Sequence, residues 1–194
     1  MRKRYLQSFI TPTLGMFSLL VTATAGGLVA IKAGGIGGAA KNRSGEHIAR
    51  FDVVHELQIR FAAEHGVADP VALVAAVRHS PMANLLINVA IEESLGDPVA
   101  KGSSGEEGAW QVIASHWGAV PEDIRGQAGQ AERIIRSLLI SVKGNRKEAL
   151  ARYNGGSTPP VRSYRYAERI LKRTGQLQFA VNFLPPKGTL SGQI

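Results

Sequence analysis

Residues 9–31, FITPTLGMFSLLVTATAGGLVAI, run for 23 positions without a charged side chain. About 20 apolar residues suffice for a helix to cross a bilayer, so this run is long enough to span one. It divides the chain, because the residues beyond it must fold as a separate unit of roughly 150 residues, enough to bury its own core. Arg2, Lys3 and Arg4 precede the run. Their position puts the N-terminus in the cytoplasm and the unit beyond the run outside it. Two other readings stay open: a signal peptide cleaved near Ala23-Thr24-Ala25, and a buried soluble helix. Residues 1–32 are therefore expected to be a transmembrane anchor or an uncleaved signal. Residues 33–46, AGGIGGAAKNRSGE, are expected to be a Gly-rich linker.

Charge supports this division. The chain carries a net +8. Residues 1–46 hold six basic residues and one acidic residue, so +5 of that charge flanks the apolar run. The remainder is too evenly balanced to read as a nucleic-acid face, and no nucleic-acid partner is expected. There is no cysteine, which removes disulfide frameworks and cysteine-rich zinc sites. The five histidines show no convincing ligand spacing: His55-Glu56 opens like HExxH, but position 59 is Ile. No G-x-S-x-G elbow is present. Neither a metal nor another cofactor is expected.

Beyond residue 46 the periodicity is helical. Ile48, Phe51, Val54, Leu57 and Phe61 recur on one face, and Gly66 can end that helix. Asp69-Pro70 and Ser80-Pro81 each read as an N-cap followed by a first-turn proline, the second opening a helix over 81–94. Residues 111–117 predict a short helical piece, and 128–142 and 146–153 two further helices. A last helix is expected over 162–173, stopped at Gly175. The tail LQFAVNF alternates apolar residues and predicts a short extended segment. The expected class is mainly α, with a domain over 47–175 and a C-terminal tail over 176–194.

Chemistry is concentrated in IEESLGDPVAKGSSGEEGAWQV, residues 91–112, with five carboxylates in a glycine-rich turn. Glu93 lies four residues after Val89 and seven after Leu86, which places it on the apolar stripe of its helix. Glu92 lies nearer the polar flank. A carboxylate on an apolar face is costly to ionise, so its pKa rises toward the range a general acid needs. Periodicity leaves open a plainer alternative, a helix-end glutamate half in water. Asp97, Glu106 and Glu107 read as turn or solvent-facing charges.

The spacing Glu93-Ser94, Asp97-Pro98, Gly105-x-x-Gly108 and Gln111 resembles the active-site motif of the SLT-domain lytic transglycosylases, relatives of goose-type lysozyme. That pattern is roughly E-S-x-x-(N/D)-P, a turn, then G-x-x-G-L-M-Q. Further on, Ala149-Leu150-Ala151-Arg152-Tyr153-Asn154-Gly155-Gly156 resembles the family's A-L-A-x-Y-N-x-G motif. The two motifs fall in the family's order, and the resemblance covers roughly residues 80–173. It implies a lysozyme-like helical domain over 47–175 with a sugar-binding groove. It also implies that Glu93 is the single catalytic acid/base, cleaving the β-1,4 bond between N-acetylmuramic acid and N-acetylglucosamine.

On the same resemblance Ser94, Gln111, Tyr153, Asn154 and Tyr166 are expected to be substrate-binding residues. Gly105 and Gly108 are expected to shape the groove with their backbone. Bracing of the loop is the other reading of Gln111, and a core position that of Tyr166. Gly102 stands where the family often has serine, Ala109-Trp110 where it has Leu-Met, and Arg162 where a glutamate is expected. The implied partners are peptidoglycan glycan strands and, through residues 9–31, a membrane. A hydrolytic lysozyme and a non-catalytic wall-binding or assembly protein are the alternatives. A secretion, conjugation or virion apparatus is the setting that such a wall-cutter would serve.

Overall fold

The computed structural model describes residues 43–184. Among them the helices are α1 Arg43–Glu64, α2 Pro70–Val77, α3 Ala83–Ser94, α4 Ala114–Trp117, α5 Ile124–Ser141, α6 Arg146–Gly155 and α7 Val161–Asn182. One antiparallel pair, β1 Glu106–Glu107 and β2 Val112–Ile113, lies between α3 and α4. The described unit is mainly helical, as expected. No helix within it is long and apolar enough to cross a membrane. The apolar run 9–31, and with it the expected anchor, lies outside the described residues.

Helices start where the chain supplies acceptors for the free N–H groups of a first turn. Asp69 Oδ1 accepts from Ala72 N at 2.9 Å, with Pro70 in the first turn. Asp123 Oδ1 accepts from Gly126 N at 2.8 Å, and Asn145 Oδ1 from Glu148 N at 3.1 Å. Each such cap stabilises its helix by about 1 kcal/mol.

Helix α3 is different in kind. Leu85, Leu86, Ile87, Asn88, Val89, Ala90 and Ile91 are all buried, one after another. A helix apolar on every side must be wrapped by others. Here α2 and α7 pack against it, with α1 and α5 completing the surround. The core it joins includes Leu73 and Val77 of α2, Ile134 and Ile135 of α5, Leu150 of α6 and Ile170 of α7. Trp110 is fully buried in the same cluster, and its Nε1 donates to Leu86 O at 3.0 Å.

Several expectations are corrected. Helix α1 starts at Arg43, so residues 43–46 are helical rather than linker. Ser80 Oγ accepts from Met82 N, but α3 starts only at Ala83. Asp123 starts α5 four residues earlier than the apolar pattern predicts. Part of the expected helix over 111–117 is strand β2. The largest change is at the end of the chain. Helix α7 passes through Gly175 to Asn182, and LQFAVNF is helical rather than extended. Ile170, Leu177 and Val181 pack on the core, a helical spacing that outweighs the roughly 1 kcal/mol cost of an interior glycine.

A Cβ at Gly175 would meet nothing within 4 Å. Gly175→Ala is therefore expected to stabilise the protein by roughly 0.5–1 kcal/mol through helix propensity and a less free unfolded chain. Urea unfolding measures this, and a neutral or destabilising result would count against a continuous α7.

Candidate active site

Helix α3 brings two adjacent carboxylates to the edge of the core, and α7 treats them oppositely. Tyr166, Arg169 and Arg173 lie three and four residues apart, along one stripe of α7. Arg169 pairs with Glu92 Oε1 at 2.6 Å and Arg173 with Glu92 Oε2 at 2.5 Å. Glu92 thus lies between two guanidinium groups. Among the described residues no arginine pairs with Glu93. It receives one neutral donor, the Tyr166 hydroxyl, at 2.5 Å from Oε1.

That difference sets the protonation of Glu93. Burial pushes its pKa from an ordinary 4.5 up to about 7, and the Tyr166 hydrogen bond pulls the other way. The charges of Glu92 and Glu106 add to the rise. Burial also raises the Tyr166 hydroxyl well above its usual range, with Glu93 contributing, so Tyr166 stays protonated as a donor. Tyr153 is raised for the same two reasons.

The loop after α3 is tied down by side chains that bond to backbone. Ser94 Oγ donates to Ala109 O at 2.9 Å and accepts from Asp97 N at 3.0 Å. The buried Gln127 of α5 accepts from Ala109 N at 2.8 Å and donates to Pro98 O and Pro121 O at 2.9 Å. Gly108, at φ 74°, lies against that amide, where a Cβ would come within 2.5 Å of Gln127 Oε1. From α6, Tyr153 Oη donates to Trp110 O at 2.6 Å. Asn154 Oδ1 accepts from Ser163 Oγ at 2.8 Å.

These constraints leave a notch of about 90 Å³ whose polar lining is Glu93, Glu106, Gln111, Tyr153 and Asn154. Trp117, 45% exposed, stands at its edge, and Val112, Ile113 and Ile134 are its apolar wall. A larger cavity of about 360 Å³ has no carboxylate among its described lining residues. The notch is where the poised acid sits, so it is the candidate site.

The notch brings together four of the expected residues: Glu93, Gln111, Tyr153 and Asn154. Gln111 also braces the loop, with Nε2 donating to Gly108 O at 3.0 Å. The other four have different positions. Ser94 is a loop brace rather than part of the lining. Tyr166 is a core residue, 4% exposed, that reaches the site only through Glu93. Gly105, at φ 89°, sits in the turn before β1, and Gly108 packs on Gln127 rather than shaping the notch.

Trp110, which stands where the resembling family has methionine, is core. Asp97 is a turn residue, with Oδ1 accepting from Val99 N, and Glu107 pairs with Lys101. Glu106, expected to face solvent, lines the notch instead. Its Oε2 accepts from Ser104 N at 2.8 Å. Trp117 was not singled out by periodicity or by motif. Its one signal is an aromatic residue in a short polar stretch just beyond Gln111.

Comparison with protein-family models gives no match, and no curated protein matches the chain.

The raised pKa of Glu93 makes stability depend on pH. The folded chain holds this proton more tightly than the unfolded one. The stabilisation is full below about pH 4.5 and is lost as pH rises through about 7. At about 1.4 kcal/mol per pKa unit, the loss is at most about 3 kcal/mol. Glu93→Gln removes the cost of ionising the group, so it is expected to raise stability at pH 8 and to leave it nearly unchanged at pH 4. Denaturant titrations at both pH values check this. A variant less stable at pH 8 would mean that Glu93 is not desolvated.

Proposed function

We propose that this chain is a peptidoglycan lytic transglycosylase of the SLT type, with its helical unit read as a lysozyme-like domain. Glu93 carries the reading. It is a carboxyl group poised to be protonated near neutral pH, lining an open notch beside hydrogen-bonding side chains, while its neighbour Glu92 holds both arginines.

The mechanism rests on one carboxyl group acting twice. Protonated Glu93 gives its proton to the glycosidic oxygen as the bond from C1 of N-acetylmuramic acid breaks. The resulting carboxylate then takes the proton of the muramoyl 6-hydroxyl, whose oxygen bonds to C1 and closes a 1,6-anhydro ring. The nucleophile belongs to the substrate, so no second carboxylate and no cofactor are required, unlike the two-carboxylate scheme. Tyr166 stabilises the ionised form between the two steps. Gln111 and Asn154 offer amide groups to acetamido and hydroxyl groups. Trp117 offers a flat face to a sugar ring. Residues 9–31 would tether the domain on the wall side of the cytoplasmic membrane. Local wall opening for envelope remodelling, a secretion or conjugation apparatus, or phage entry is the corresponding role.

Glu106 favours a second reading. It places another carboxylate in the same notch, where it could hold an attacking water and make the enzyme a hydrolytic lysozyme. Digestion of purified wall, read by mass spectrometry, separates the two. The transglycosylase yields 1,6-anhydro-muramoyl ends, and the hydrolase yields reducing ends. Glu93→Gln is expected to lower cleavage at least 100-fold, and unchanged cleavage would leave the wall-binding alternative standing.

The pH profile tests the assigned roles. Activity should fall on an alkaline limb near pH 7, as Glu93 loses its proton. Tyr166→Phe removes the bond that lowers the Glu93 pKa, so the limb should move to higher pH while kcat falls. Glu106→Gln removes a neighbouring negative charge, so the limb should move to lower pH. Limbs that stay in place in both variants would rule out Glu93 as the titrating acid.

A further inference from the structure

A second cavity, of about 360 Å³, lies between α1, the start of α3, the end of α5 and α7. It shares no lining residue with the notch. Its volume is in the range of small-ligand sites.

Its polar groups are incompletely paired. Gln58, 4% exposed, donates from Nε2 to Asn84 Oδ1 at 2.7 Å, but its buried Oε1 has no hydrogen-bond partner among the described residues. Thr174 Oγ1, also on the wall, is buried and unpartnered in the same way. A buried polar atom without a partner is costly, so such atoms mark a place for a ligand or ordered water. Asn84 is itself fixed, donating to Gln178 Oε1 at 2.9 Å.

The charges on the wall have one sign. Arg78 and Arg146 line the cavity, and no Asp or Glu does among the described residues. Neither arginine has a carboxylate partner among the described residues; Arg78 Nε donates to His79 Nε2. His55 also lines the wall. Leu85, Leu139 and Leu171 supply apolar surface between the polar groups.

We infer that this cavity is a second binding site, for the carboxyl-terminal end of a short peptide. Such a ligand has the three matching features. Its carboxylate meets Arg78 and Arg146, the strongest pairing available to a guanidinium. Its amide N–H supplies the donor that Gln58 Oε1 lacks, and its small apolar side chains fit the leucine wall. A fatty acid has the carboxylate without the N–H, and a peptide amide has the N–H without the charge. The inference does not depend on what the notch cleaves.

The test uses the full-length protein and three probes: N-acetyl-alanyl-alanine, its C-terminal carboxamide, and hexanoate. Binding is monitored by calorimetry and by ligand-observed NMR. The acid is expected to bind saturably, and the carboxamide and hexanoate at least tenfold more weakly. The paired substitution Arg78→Gln with Arg146→Gln should remove the preference for acid over carboxamide. Both arginines are exposed, so the fold should tolerate the change. Glu93→Gln should leave binding unchanged, because the notch is elsewhere. The inference is overturned if none of the probes saturates, leaving a cavity that holds only water. It is equally overturned if acid and carboxamide bind alike, or if Glu93→Gln abolishes binding.

Discussion

Two carboxylates at the end of one buried helix cannot both ionise in the same low-dielectric corner without heavy cost. Helix α7 resolves this by dividing its side chains between them. Arg169 and Arg173 take Glu92, and among the described residues the neutral Tyr166 hydroxyl alone bonds to Glu93. The carboxylate with guanidinium partners fastens α3 to α7. The carboxyl group left without a counter-charge stays protonated to about pH 7. Exchange of roles would need the stripe of α7 to slip by a helical position, which the buried Ala167 and Ile170 forbid. Packing thus decides which of two adjacent, chemically identical side chains is the acid.

Part of the notch opposite Glu93 is the loop between α3 and α4, and a loop holds its shape only when its backbone groups are satisfied. Gln127 satisfies two of them from α5, at Ala109 N and Pro98 O, Tyr153 one from α6 and Ser94 two from the end of α3. The loop is therefore stapled from three helices, although it contains only two short strands. This explains why side chains that look like ligands in a motif, such as Ser94, are used for bracing. Ser94 and Gln127 hold the backbone of Ala109, two residues before Gln111.

The same physics governs how much was legible in the sequence. The mainly α class was legible because apolar residues recur at helical spacing over long stretches, and Asp69, Pro70 and Gly66 mark local boundaries. Glu93 was legible as a candidate because Leu86 and Val89 fix its face. The α7 extension was not, because Gly175 is a local stop signal and only tertiary burial of Leu177 overrides it. The strands beside Gln111 were hidden by their length of two residues each. The inward position of Glu106 was hidden too, since a glutamate in a glycine-rich turn has no periodicity to orient it.

Glu106 and Gly102 belong to one local solution. Gly102 N donates to Glu106 O at 2.7 Å, which brings the two residues face to face. A Cβ at position 102 would collide with the Glu106 carboxylate and come within 2.8 Å of Gln111 Oε1. A serine at 102, as the resembling family often has, and an inward Glu106 cannot both occupy this corner. The glycine is therefore more than the loss of a hydroxyl, because it opens the space a second carboxylate fills. That carboxylate then acts on the first at a distance, raising the Glu93 pKa through charge alone. A departure that looks like a missing group in the sequence is, in three dimensions, an added negative charge beside the acid.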